Sequence, residues 1–302
     1  MKWRVRAPAT CANLGPGFDL FALALDLCNE VIAEKTVDAG MILDPGPRPA
    51  AGIERGPRNL ILRSYIRACE ELGVQDDDQG ARLTCTNRIP MTRGLGSSAA
   101  AIVSGVAAAY VLHGRDINVE AIAEIATRIE GHPENVAAAA MGGFVICAQG
   151  TPTVSVPVMN VSLVLFIPES EASTQEARTV VPLTFSREDT IFNAGRCALL
   201  ARAFTTGDFR HLAPAMEDRM HQPYRARSQP ALYPVIRAAG AAGAYGAALS
   251  GSGTSILALS RPNDGAAVAT AMSHAAETVG VAGATIILEP RNRGLEVEAL
   301  RE

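Results

Sequence analysis

Of the 27 basic side chains in this 302-residue chain only two are lysines, Lys2 and Lys35. Any anion held beyond position 35 must therefore be held by arginine, by backbone N–H groups at helix ends, or by a metal ion. Basic residues also fall short of the 31 acidic ones, for a net charge of −4, and no cationic cluster offers a footprint for a phosphate backbone. Nucleic-acid binding is disfavoured on that ground. No run reaches the ~20 consecutive apolar residues of a membrane helix, so no membrane association is expected. The opening residues, MKWRVRAPATCANL, have no apolar stretch behind their charges, so no secretory signal is expected. The six cysteines (11, 28, 69, 85, 147, 197) show neither C-x-x-C nor metal-ligand spacing and read as buried thiols of a reducing compartment. A cytoplasmic protein is expected.

What is present is a globular composition, 48% hydrophobic and 19% charged, in a length that suits two domains. Short apolar strands (Trp3–Ala7, Leu20–Leu27, Glu30–Thr36) precede an exposed loop over Pro45–Arg58 and a helix over Leu60–Leu72 with Asn59 as its N-cap. An Ala-rich helix, Ala99–Leu112, is apolar all round and so must be buried. Asn118–Glu130 is amphipathic, with Ile122, Ile125, Ala126 and Ile129 on one stripe. Strands follow at Gly142–Cys147, Thr153–Pro157 and Val161–Ile167. Helices near Ile191–Thr205, Ala213–His221, Ala231–Gly240 and Ala266–Val279 then alternate with strands at Ala244–Leu249, Ser255–Leu259 and Ala284–Leu288. The pattern predicts an α+β protein divided near residues 150–160.

Four segments carry polar chemistry. Residues 89–98, IPMTRGLGSS, place Gly94 and Gly96 ahead of the buried helix, so unpaired N–H groups and a positive dipole end point outward together, with Ser97 and Ser98 adding hydroxyls. The Walker pattern does not apply, because its lysine is missing. A dinucleotide fingerprint fits poorly, because the acidic positions Glu120 and Glu124 sit in a helix instead of ending a strand. Residues 8–19, PATCANLGPGFD, present Asn13 and Asp19 around a glycine-proline turn. Residues 130–135, EGHPEN, lie between two helices and aim His132, which precedes a proline. Residues 250–255, SGSGTS, form a second glycine-serine loop. Each segment alone is also compatible with an ordinary turn or helix cap.

Together these segments resemble the signature motifs of the GHMP kinases, and within that family most resemble the homoserine kinase branch. Residues 173–178 (STQEAR) and 217–225 (EDRMHQPYR) match two further family segments, in the expected order. Cys11 stands where serine is usual and Glu134 where aspartate is usual. The resemblance implies a two-domain fold: an N-terminal domain, 1–157, with a left-handed β-α-β unit, and a ferredoxin-like C-terminal domain, 158–302. It implies ATP and Mg²⁺ as cofactors and L-homoserine as the acceptor. Its ATP-binding residues map to Asn59, Pro90, Arg93, Gly94, Leu95, Gly96, Ser97, Ser98 and Ala99. Its metal ligands map to Ser98 and Glu124. Its acceptor site maps to Asn13, Asp19, His132, Asn135, Arg178, Arg225 and Gly251, with Arg219 and Arg227 as rivals for the second arginine. Asn135 and His132 are the expected catalytic residues, orienting the hydroxyl. Related kinases carry a catalytic aspartate where Asn135 stands, and an amide cannot accept the proton. The branch therefore implies no dedicated side-chain base and a proton that leaves to a γ-phosphate oxygen, with adjacent Glu134 as the alternative, an unrecognised base. A homodimer is also implied. The competing readings are another small-molecule kinase of the family (mevalonate, shikimate or diphosphocytidyl-methylerythritol type) and a non-catalytic nucleotide-binding protein.

Overall fold

A computed structural model describes residues 1–36, 40–46, 56 and 58–301; most of the expected 45–58 loop lies outside these residues. The first half runs β1 (Lys2–Asn13), β2 (Gly17–Lys35), β3 (Met41–Asp44), α1 (Leu60–Glu71), β4 (Ala81–Thr86), α2 (Ser97–Leu112), α3 (Val119–Glu130), α4 (Glu134–Met141), β5 (Phe144–Ile146) and β6 (Val154–Val156). The second half runs β7 (Ser162–Pro168), α5 (Thr174–Thr179), α6 (Arg187–Thr206), α7 (Leu212–Ala215), α8 (Gln222–Arg225), α9 (Leu232–Ala241), β8 (Gly246–Leu249), β9 (Ile256–Ser260), α10 (Gly265–Thr278), β10 (Gly283–Leu288) and β11 (Glu296–Leu300).

The first sheet has the order β11-β1-β2-β4-β3, with β5 and β6 continuing from β2. Among the described residues only β3 and β4 pair in parallel, and the chain between them passes through α1 in a β-α-β unit. The second sheet has the order β10-β7-β9-β8, which is 4-1-3-2 in chain order, with every pair antiparallel. With helices in both crossovers, this is the ferredoxin-like arrangement. The last strand, β11, returns to the first sheet and pairs with β1 from Lys2↔Leu300 to Arg6↔Glu296.

Two strands expected at 20–27 and 30–36 are one bent strand of 19 residues, β2. Its first part pairs with β5 and its last part with β4, and β1 shifts register against it between Pro8 and Ala9. Pro8 has no N–H for the ladder, so an irregularity there is expected. The helix expected over 213–221 stops at Ala215. The Asp218 carboxylate takes the N–H groups of Met220, His221 and Gln222 at 2.7–2.9 Å, replacing the carbonyls a helix would supply. The core follows from composition. From Ala99 to Leu112 every residue of α2 but Ala101 is buried. Phe144 of β5 stacks on Phe204 of α6 at 4.2 Å between ring centroids, and one apolar core runs through both halves.

Candidate active site

Gly94 and Gly96 have φ of +71° and +66°, the left-handed conformation that glycine adopts without strain. They are also pressed against neighbouring loops. A Cβ on Gly94 would lie 2.2 Å from the Ser250 carbonyl, and one on Gly96 would lie 1.9 Å from Thr10 Oγ1. Gly96 is the N-cap of α2 and supplies no side chain to its first turn. The loop is thus a rigid ridge ending in helix N–H groups, flanked by Ser97 and Ser98.

Two cavities adjoin it. One, of about 320 Å³, is lined largely by apolar atoms, including Leu43, Leu60, Ile61 and Met91, with Asn59 at its edge. Asn59 Oδ1 accepts from Ile61 N at 2.9 Å and Leu62 N at 3.5 Å, so the residue is a working helix cap as well as a lining group. The other cavity, of about 170 Å³, is polar and lies between the two halves of the chain. Thr92, Ser97 and Ser98 line both, so the loop is the wall they share.

The polar cavity brings together Asn13, Asp19, Pro90, Gly94, Leu95, Gly96, Ser97, Ser98, His132, Asn135, Arg178, Arg225 and Gly251 from six segments of the chain. Asp19 and Arg178 form a bidentate ion pair at 2.8 and 2.9 Å, which raises the pKa of Arg178. Arg225 is buried, with Nε on the Ala177 carbonyl at 3.1 Å and one terminal nitrogen on the Gly251 carbonyl at 2.8 Å. Burial, and then the charge of Arg178, lower its pKa to about 10. The Phe18 ring sits 5.5 Å from the Arg178 guanidinium and 5.3 Å from that of Arg225, easing the approach of two like charges. Asn13 donates to the Gly251 carbonyl at 3.1 Å, tying the first loop to the last.

Asn135 Oδ1 accepts from Thr10 at 2.6 Å and its amide donates to Glu134 Oε1 at 3.1 Å. The same Glu134 oxygen lies 2.8 Å from His132 Nδ1, while its buried Oε2 has no hydrogen-bond partner among the described residues. Burial opposes charge on His132, but the bond to Glu134 and the carboxylates of Glu134 and Glu130 outweigh it and raise its pKa.

Three expected site residues lie elsewhere. Glu124 is exposed on the face of α3 opposite its buried Ile122, Ile125 and Ala126, near Arg128. Glu130, at the end of the same helix, accepts a hydrogen bond from Ser98 Oγ in its place. Gly131 ends α3 in the left-handed conformation and turns the chain there. Arg93 lines neither cavity and is strapped to carbonyls of the chain after β7. Ala99 is buried inside α2 and lines neither cavity. The rivals Arg219 and Arg227 lie against Phe192 and Tyr224 and line neither cavity. Sequence reasoning also passed over Asp218 and His221. His221 is fully buried, with Nε2 on the Gly15 carbonyl at 2.6 Å and Nδ1 3.1 Å from Arg225, so it braces both the first loop and that arginine. The only signal for it was its place four residues before Arg225.

Known proteins share this sequence pattern and this fold. Residues 59–143 match the family model of the GHMP kinases N terminal domain, and residues 200–278 match that of the GHMP kinases C terminal domain. The homoserine kinase of Microchaete diplosiphon is 40% identical over 294 residues, covering 96% of this chain and 95% of the relative. That of Carboxydothermus hydrogenoformans is 37% identical, with 96% and 95% covered. The crystal structure of homoserine kinase from Cytophaga hutchinsonii superposes with a TM-score of 0.87 at 29% identity, covering 98% of this chain and 97% of that one. A mevalonate kinase structure, 13% identical with a TM-score of 0.72, shares the fold.

Proposed function

This chain belongs to the GHMP kinase family, and from that membership we propose that it transfers the γ-phosphoryl group of ATP to the side-chain hydroxyl of L-homoserine, giving O-phospho-L-homoserine and ADP. The observation that carries the choice of acceptor is the grouping of Asp19 with Arg178 and Arg225 beside the glycine loop. A carboxylate and two guanidinium groups at one end of a small cavity complement a zwitterion, which an amino acid presents and mevalonate or shikimate does not.

The apolar cavity at Asn59, Leu60 and Ile61 takes the nucleoside, and the N–H groups from Gly94 to Ser98 take the phosphates, which accounts for a kinase without a lysine there. In the polar cavity Asp19 receives the substrate ammonium while Arg178 and Arg225 receive its carboxylate. Asn135 and His132 then direct the hydroxyl toward the ridge, held in place by Thr10 and Glu134. Phosphoryl transfer depends chiefly on such positioning and on charge neutralisation. Asn135 is an amide and cannot accept a proton, so in this reading the hydroxyl proton passes to a γ-phosphate oxygen as the new O–P bond forms, with the adjacent Glu134 carboxylate as the alternative base.

The Ser98 hydroxyl and Glu130 carboxylate, already in hydrogen-bond contact, are a hard-oxygen pair that suits Mg²⁺, which keeps most of its remaining positions for water and phosphate. Bound there, Mg²⁺ would neutralise phosphate charge. We place the division between nucleotide and C-terminal domains near residue 157, with β11 alone rejoining the first sheet, and take the working enzyme to be a cytoplasmic homodimer of threonine biosynthesis. A coupled assay of ADP release with homoserine, mevalonate, shikimate and threonine tests the reading. Turnover should require Mg²⁺ and be fastest with homoserine; faster turnover of mevalonate or shikimate would reassign the enzyme within the family.

A further inference from the structure

Arg93, expected among the ATP-binding residues, lies instead outside both cavities. Its guanidinium donates from Nε to the Pro168 carbonyl at 2.9 Å and from a terminal nitrogen to the Glu169 carbonyl at 2.5 Å. The other terminal nitrogen reaches back to the Met91 carbonyl at 3.3 Å and to Thr92 Oγ1 at 3.1 Å, with the Glu171 carboxylate at 3.3 Å. One planar cation therefore joins the glycine loop to the end of β7. One backbone bond repeats the connection, Ala172 N donating to the Thr92 carbonyl at 3.0 Å, and the Thr254 hydroxyl of the 250–255 loop also reaches this segment, donating to the Ser170 carbonyl at 2.8 Å. Thr92 itself has φ of +55°, a conformation a threonine keeps only where its surroundings hold it.

The segment that Arg93 grips, 168–172, runs directly into Ser173, the N-cap of α5, and α5 carries Arg178. Thr92, on the other side of the strap, lines both cavities. The wall touched by nucleotide and the arm that holds the acceptor carboxylate are thus fastened together by the Arg93 side chain and by the Ala172–Thr92 backbone bond.

We propose that Arg93 is a positioning residue that couples occupancy of the glycine loop to the placement of Arg178, so that bound nucleotide tightens the hold on the amino-acid acceptor. The proposal rests on the homoserine kinase reading above. Coupling of this kind is reciprocal: homoserine tightens nucleotide by the same factor. Arginine is suited to it because its fork spans two carbonyls and its own loop at once, which a lysine ammonium cannot do.

The test is a binding cycle on full-length enzyme already shown to turn over homoserine, so that failure of the substrate reading is detected first and separately. Homoserine affinity is measured by calorimetry with and without adenylyl-imidodiphosphate, for wild type, Arg93→Met and Arg93→Lys. Wild type should bind homoserine about tenfold tighter with the analogue present, within the usual range of such couplings. Arg93→Met should keep each single-ligand affinity within about threefold while its coupling factor falls from about tenfold to about threefold or less. Arg93→Lys, which preserves the charge and serves if the methionine variant does not fold, should retain only part of the coupling. A wild type without coupling overturns the proposal. So does an Arg93 variant that weakens both ligands alike, or merely lowers Tm, with its coupling factor intact.

Discussion

Glu124 and Glu130 sit six residues apart on one helix, and their surroundings separate them completely. Glu124 projects from the polar face of α3 into solvent near Arg128, whereas Glu130 meets the Ser98 hydroxyl at the mouth of the polar cavity. If the pair at Ser98 holds the magnesium, Glu130→Gln should lower kcat at least ~100-fold, about 2.7 kcal/mol of transition-state stabilisation. Glu124→Gln should stay within about twofold of wild type. ADP release titrated with Mg²⁺ checks both, and the reverse ranking would return the ligand to Glu124. Periodicity put Glu124 correctly on the polar face of α3. It gave no reason to prefer Glu130, whose direction depends on how Gly131 ends the helix.

At the scale of elements, α1 and α2 cross at a close backbone approach. A Cβ on Gly105 would lie 2.3 Å from the Ile61 carbonyl and 2.9 Å from Ser64 Cβ, both in α1. Gly105→Ala should therefore push α1 away and cost about 1–3 kcal/mol by overpacking, despite the better helix propensity of alanine. Because Asn59, Leu60 and Ile61 line the apolar cavity, KM for ATP should rise with little change in KM for homoserine. Denaturant titration and initial-rate kinetics measure the two effects. The burial of α2 was legible from its composition, as was the cap at Asn59, since both depend on adjacent residues. β11 was not, because Glu296–Leu300 alternates weakly and its partner, β1, lies at the opposite end of the chain. The unwound stretch after α7 was equally hidden, since it depends on which N–H groups Asp218 captures.

Across the whole molecule, His221 ties the second half to the first loop through the Gly15 carbonyl, and Asn193 adds a bond to Asp218 beneath it. Burial lowers the pKa of His221 below the ordinary 6.5, against the pull of Asp218. Above that value the ring is neutral in folded and unfolded chains alike, and pH has no leverage. As pH falls through 6.5 the unfolded chain gains a proton that the folded one refuses, so folded stability declines until the depressed pKa is reached. His221→Gln, whose amide can still donate to Gly15, should therefore lose less Tm between pH 7.5 and 5.5 than wild type, by roughly 2–4 °C per kcal/mol recovered. His113, also lowered by burial, contributes equally to both proteins and cancels in the comparison. Parallel Tm curves would remove His221 as the source.

The pairing of β11 with β1 also sets a timetable for synthesis. β1 and β2 leave the ribosome well before β11, so one edge of β1 has no strand to meet until residues 296–300 have been made. While the second half is being translated, that edge is open to any neighbouring nascent chain. Arg4 and Arg6 lie along it, later to meet Glu298 and Glu296, and like charges on two such edges discourage them from joining. The first sheet thus begins to form before the second and closes only once residues 296–300 have followed the second sheet out.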